Sequence, residues 1–217
     1  MDYTRQIDIF NPEQFKDIKI GVIGVGSVGS FIVLTLAKMG FTNITVWDDD
    51  VVEEHNLPNQ FYPLNSIGRP KVSALRDVVK QMSGIEVNAR QQTYGEGSYM
   101  ILQDNFILIS AVDSIESRRE IWKGINLVNC KLYIDSRMGG EYIRIFTVKG
   151  QEDYAHYEKS LEKAGIQLPC TARTIIYNVL ANASLVALLI KKFLKGEPIG
   201  KEVTFDMKNL LLMNMTK

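Results

Sequence analysis

Lys19-Ile20-Gly21-Val22-Ile23, then Gly24-Val25-Gly26-Ser27-Val28-Gly29, then an apolar run from Phe31 to Met39: this stretch decides the fold. A short β-branched segment leads into a glycine turn, and the turn leads into a helix that Gly40 closes. The turn fits G-x-G-x-x-G, and it stands after a strand and at the opening of a helix, where that pattern meets phosphate. Gly24 permits the tight turn, Gly26 lets a phosphate approach the backbone, and Gly29 lets helix and strand pack closely. The helix start adds free N–H groups and the positive end of a dipole. The alternative is a glycine turn used only for packing.

Outward from this unit the alternation continues. Residues 43–47 read as a second strand ending in Asp48, Asp49 and Asp50. Asp48 stands where a carboxylate accepts ribose hydroxyls, in a dinucleotide or in ATP. A loop runs to Arg69, and Pro70 opens a helix to about Met82. Residues 85–89, 106–110 and 131–135 read as strands, with a helix over 114–124. The fourth strand is almost wholly apolar, as a strand covered on both faces should be. Alternating strands and helices predict an α/β fold: a Rossmann-like, doubly wound, mostly parallel sheet. Beyond Asp135 the style changes. Residues 142–148 read as an antiparallel return, 154–164 as a helical stretch within a polar segment, and 171–194 as a long helix. Residues 201–205 and 210–213 read as a closing hairpin with antiparallel strands at the C-terminal side. The expected organisation is one domain: an arm over 1–18, a nucleotide-binding core over 19–148, and a crossover segment, long helix and closing strands over 149–217.

Composition bounds the rest. The chain has 217 residues, 46% hydrophobic and 23% charged, enough for a sizeable core. Its 25 basic and 25 acidic residues cancel, so no overall field favours nucleic acid or a membrane. Two cysteines, Cys130 and Cys170, make neither a disulfide framework nor a four-cysteine zinc site, so the expectation is a cytoplasmic protein without zinc. The apolar run 175–190 contains Asn178, Asn182 and Ser184 and reads as a buried helix.

Four further stretches carry a resemblance, and they agree with it in order and spacing along the chain. Asp48-x-Asp50-x-Val52-Glu53-x-x-Asn56-Leu57-x-x-Gln60 resembles the D-x-D-x-V-E-x-x-N-L-x-R-Q signature of the ThiF/MoeB/HesA adenylyltransferases, the ubiquitin-activating-like enzymes. Tyr3 to Ile7 resembles their N-terminal R-Q-I arm. Ile67 to Lys71 resembles their G-x-P-K before a helix. Ala111 to Ser114, with Glu116 and Arg118, resembles their D-N-x-x-x-R stretch. The resemblance covers residues 3–148 well and the remainder loosely.

It implies an ATP-dependent adenylyltransferase that activates the C-terminal carboxylate of a small ubiquitin-like or sulfur-carrier protein. Adenylation builds negative charge on phosphate oxygens, so cations and a metal must meet it. Lys71 is a suitable point charge, or a solvated first-turn lysine. Asp113, at the carboxyl edge of the sheet, suits Mg²⁺, or caps the following helix. Asn56 and Gln60 contact phosphate or ribose, or order their own loop. Arg5 reaches the phosphates of a neighbouring subunit, which implies a homodimer, or is simply exposed. Cys170, before the long helix and near Arg173, takes the acyl group as a thioester, or packs. The family's arginine before its glutamine is Asn59 here, which removes one full positive charge and raises the reading of a catalytically weakened partner subunit. An NAD-dependent oxidoreductase shares G-x-G-x-x-G and the acid, but the sequence places no hydride-transfer partner. His55 and His156 show no partner in sequence, and Cys130 reads as core.

Overall fold

The computed structural model describes residues 1–217 apart from 96, 97, 99–101, 103, 105, 126–128, 163–173 and 216–217. Strand β1 is Lys19–Ile23, helix α1 Ser27–Met39, β2 Ile44–Trp47, α2 Lys71–Ser83 and β3 Asn88–Arg90. Strand β4 is Phe106–Ser110, α3 Ile115–Gly124, β5 Cys130–Gly139 and β6 Tyr142–Val148. Then follow α4 Tyr154–Glu162, α5 Ile176–Leu194, β7 Glu202–Asp206 and β8 Leu211–Met215.

All eight strands form one sheet in the order β3-β2-β1-β4-β5-β6-β7-β8. The pairings from β3 through β5 are parallel, and those from β5 through β8 are antiparallel. This is the expected mostly parallel α/β sheet with an antiparallel C-terminal side. The centre is buried on both faces, and every residue of β4 is buried. On one face Ile20, Val22, Ile107, Ile109 and Ile134 pack against Val33 and Leu36 of α1, Leu75 of α2, and Val186 and Ile190 of α5. On the other, Trp47, Phe106, Leu108, Tyr133 and Phe146 pack against Ile121 of α3 and Tyr157 and Leu161 of α4. Each large apolar side chain buried this way contributes about 1.5–3 kcal/mol before conformational entropy is subtracted.

Several boundaries differ from the sequence reading. Helix α1 begins at Ser27, not Phe31, because Gly26 is its N-cap and Gly29 already lies inside it. Gly40 ends it as expected, at φ +104° with its N–H on Ala37 O and Leu36 O. Strand β3 falls at Asn88–Arg90 because residues 88–90 register with Thr45–Trp47 of β2. Strand β5 continues to Gly139, since its second half pairs with β6. Helix α5 begins at Ile176; residues 171–173 of the expected start lie outside the described residues.

Helix α5 is long and apolar enough to cross a membrane by length and composition alone. Here it is a core helix lying along α1 and the sheet. Its two asparagines latch it to β5 and the turn that follows. Asn178 Nδ2 donates to Gly140 O at 2.7 Å, and Asn182 Oδ1 accepts from Ser136 Oγ at 2.6 Å.

Candidate active site

Strand order reverses between β1 and β4, which leaves a crevice at their carboxyl ends, the usual ligand position in such sheets. The three motif glycines there do different work. Gly24 has φ +82°, and a Cβ on it would lie 3.0 Å from Ala111 O. A Cβ on Gly29 would lie 1.9 Å from Gly24 O, so these two glycines serve close packing. At Gly26 the nearest atom to a Cβ would be Gln60 Nε2, 3.8 Å away. The protein's own packing therefore leaves that position open. Helix α1 also has no side-chain cap, so its first N–H groups are left to another acceptor.

Around this turn the loop of 48–71 folds back. Asp48 Oδ2 accepts the Val25 N–H at 2.7 Å and Oδ1 accepts the Asp50 N–H at 3.0 Å, which ties the turn to the end of β2. Burial raises the Asp48 pKa, opposed by the Val25 N–H and by Lys71. Each carboxylate oxygen retains acceptor capacity for a hydroxyl. Lys71, the first residue of α2, places Nζ 2.7 Å from Asp50 Oδ2; its side chain is 8% exposed and that of Asp50 66%. The ammonium is therefore desolvated and held by a carboxylate that can turn into solvent.

Tyr62 donates its hydroxyl to Val25 O at 2.5 Å. Burial, with the charges of Asp48 and Asp50, pushes its phenol well above the ordinary range and keeps it neutral. Gln60 Oε1 is buried and has no hydrogen-bond partner among the described residues. Asn56 takes the loop-ordering role: its Oδ1 accepts the Glu53 N–H at 3.0 Å in a capping box. His55 is exposed, 3.4 Å from Glu53.

The far wall is the turn after β4. Asp113 is exposed there, with no hydrogen bond or ion pair among the described residues. The capping alternative falls to its neighbour, since Ser114 Oγ accepts the Ser117 N–H at 3.0 Å. Behind the turn Arg118 is buried against Asp135, with a second contact to Val112 O. Burial and Arg137 lower the Arg118 pKa to about 10.

Arg5 does not join this crevice in its own chain. Its neighbours anchor at the other end of α1, where Gln6 Nε2 donates to Met39 O at 2.8 Å. The 13 residues of α1 put about 20 Å between that end and the glycine turn. Cys170 lies outside the described residues. Cys130 begins β5, and burial pushes its thiol up to about 12.

Sequence reasoning missed the Tyr62 clamp, the Arg118–Asp135 pair and the 2.9 Å contact of His156 Nε2 with Glu202. Tyr62 lies 37 residues from its acceptor and His156 46 from Glu202, so no local pattern marks them. Arg118 stood in a recognised stretch, yet its partner Asp135 was legible only as the end of a strand.

The residues present fit a nucleotide triphosphate. Gly26 leaves room for a phosphate, the Gln60 amide nitrogen is the nearest side-chain atom to that room and is a donor, and Lys71 supplies a desolvated cation. The lone carboxylate of Asp113 suits Mg²⁺, which takes few protein ligands beside phosphates and water.

Glycine turn, switch point and acidic β2 terminus together define a doubly wound α/β protein of the nucleotide-binding class. The chain belongs to the ThiF family, whose sequence profile matches residues 3–216. Over 106 residues it is 33% identical to the NEDD8-activating enzyme E1 catalytic subunit of Arabidopsis thaliana, covering 48% of this chain and 23% of that protein. Over 135 residues it is 30% identical to ubiquitin-like modifier-activating enzyme 5 of Caenorhabditis briggsae, covering 54% of this chain and 30% of that protein. The match thus spans less than a third of either relative. Among solved structures, PaaA shares the fold with a TM-score of 0.77 at 18% identity, over 98% of this chain and 71% of that one. MccB of E. coli, solved with AMPCPP and MccA, gives a TM-score of 0.72 at 17% identity, over 98% and 70%.

Proposed function

We propose that this chain is an ATP-dependent adenylyltransferase that activates the C-terminal carboxylate of a small ubiquitin-like or sulfur-carrier protein. The observation that carries the reading is the crevice itself: a glycine turn with room at Gly26, the Gln60 amide nitrogen next to that room, and a desolvated Lys71 on the loop that folds back around it. Membership of the ThiF family and relatives named as modifier-activating enzymes support it.

In this reading the carrier carboxylate attacks the α-phosphorus of ATP, an acyl–phosphate bond forms, and pyrophosphate leaves. The nucleophile is already ionised near neutral pH, so the protein supplies positioning and charge instead of a general base. Asp48 holds the ribose, and Gly24, Gly26 and Gly29 shape the turn that receives the phosphates. Lys71 neutralises the charge that develops, with Asp50 as its resting partner. Asp113 would hold Mg²⁺, which supplies further charge neutralisation when bound. Arg5 serves the crevice of a second copy, because α1 keeps it from its own. Cys170 then accepts the acyl group as a thioester, with AMP leaving.

ATP–pyrophosphate exchange in the presence of a small protein ending in Gly-Gly tests the reading. Exchange is expected from the purified chain, and Asp113→Ala should abolish it with an unchanged thermal midpoint. Exchange at the wild-type rate in Asp113→Ala removes that residue from the site. Asn59 favours one second reading, a weakened subunit that needs a catalytic partner; no exchange by the chain alone, but exchange on adding such a partner, selects it. Tight NAD binding with no ATP binding selects the oxidoreductase.

A further inference from the structure

A buried ionic cluster lies beneath the carboxyl edge of the sheet, behind the turn that carries Asp113. Arg118 of α3, 5% exposed, contacts the Asp135 carboxylate and Val112 O, and also donates to Ser136 O at 3.2 Å. Asp135 of β5 is fully buried and also accepts from Arg137 Nε at 2.8 Å and from the Tyr157 hydroxyl at 3.0 Å. Arg137 lies over the Phe146 ring at 4.5 Å and reaches Ser160 of α4, with 3.1 Å to its carbonyl and 2.9 Å to its hydroxyl.

Such a cluster is a poor way to gain stability, since apolar side chains of similar volume commonly do as well or better. Its geometry has a different logic. One guanidinium spans three backbone segments: the turn after β4, strand β5, and its own helix. Its acceptor on the turn, Val112 O, belongs to the residue immediately before Asp113. Val112 in turn lies against Gly24, where its Cγ1 would stand 3.1 Å from an added Cβ. The charges agree: two guanidinium groups face one buried carboxylate, and the negative charge of Asp113 also acts on Arg118.

We propose that Arg118 is a positioning residue, clipped to β5 by Asp135, that fixes the turn bearing Asp113 so that this carboxylate meets the metal–triphosphate at a set place. The inference rests on the nucleotide reading above and deepens it. Groups that orient a metal ligand from behind typically change metal affinity by about 10–100-fold when altered. Arg118 belongs to that class, acting through the main chain of Val112.

The test uses Arg118→Lys, which keeps the charge but cannot span three acceptors. Amide hydrogen exchange of the whole protein is followed at residues 111–114 and at 20–26, and ATP binding is measured by calorimetry with and without Mg²⁺. Exchange at 111–114 is expected to quicken about 10-fold or more, and the Mg²⁺ needed for half-saturation to rise by about 10-fold or more, as for other supporting partners of a metal ligand. Exchange at 20–26 and metal-free ATP affinity are expected to move far less. Should the lysine variant fail to fold, Tyr157→Phe removes one hydrogen bond to Asp135 and is expected to quicken 111–114 selectively, by about 2-fold or more. Unchanged exchange at 111–114, or equal loosening at both segments, overturns the proposal. A wild-type protein that binds no ATP overturns the nucleotide reading and the metal half of this one, while the exchange rates still decide whether Arg118 anchors the turn.

Discussion

Gly26 and Gly29 stand three residues apart and answer to different neighbours. At Gly29 a methyl would collide with Gly24 O at 1.9 Å; at Gly26 it would meet only Gln60 Nε2 at 3.8 Å. Gly29→Ala is therefore expected to destabilise by about 1–3 kcal/mol or more, the usual cost of overpacking. Gly26→Ala is expected to leave the thermal midpoint within a few degrees while weakening ATP binding about 10-fold or more, the equivalent of about 1.4 kcal/mol. Calorimetric melting and nucleotide titration on both variants separate packing from ligand approach. The glycine turn was legible because strand, turn and helix adjoin in the chain, and Asp48 and Lys71 because they stand in stretches that resemble the family's signatures; their contacts with Val25 and Asp50, 23 and 21 residues away, were not. Gln60 shows why legibility stops: its residue type is visible in the sequence, but an amide nitrogen set next to the open position at Gly26 is a fact of three-dimensional packing.

Hydrophobic period and terminal glycines located nearly every element, because these are local signals. What shifted were limits set by a partner strand: β3 slid to match β2, and β5 lengthened because β6 pairs with it. The antiparallel side carries its own test. Glu202 of β7, with a side chain 5% exposed, accepts from Arg144 Nε at 2.6 Å and meets His156 at 2.9 Å. Burial alone would raise its carboxyl, but the hydrogen bonds and charges of Arg144 and His156 outweigh that and hold it below the ordinary glutamate range. A depressed folded pKa means stability present above the unfolded value, about 4.3, and lost as pH falls through the folded one. Urea midpoints are expected to drop below about pH 4, and Glu202→Gln to flatten that limb. An identical acid limb in the variant would assign the loss to other carboxylates.

Across the whole molecule, α1 acts as a spacer: its N-terminus faces the crevice, and its C-terminus holds the arm through Gln6 and Met39. A site that uses Arg5 is therefore shared between copies. Mixing Arg5→Ala with Asp113→Ala, each inactive alone, is expected to recover about a quarter of wild-type exchange once subunits redistribute, since half the dimers then carry one complete site. No recovery, with dimers confirmed by sedimentation, would confine Arg5 to its own chain. The doubly wound class and its antiparallel end were legible from the order of periods alone; the separation of Arg5 from its own crevice was not, because it depends on which end of a helix the arm meets. One modest feature of this architecture has a practical use. Cys130 sits at the start of β5 with burial pushing its thiol up to about 12, so at neutral pH it is almost wholly protonated and a slow nucleophile toward alkylating reagents. Iodoacetamide added to the native protein is therefore expected to spare Cys130 until urea opens the sheet, and mass analysis of the peptide that carries it gives a direct readout of whether the head of β5 stays packed.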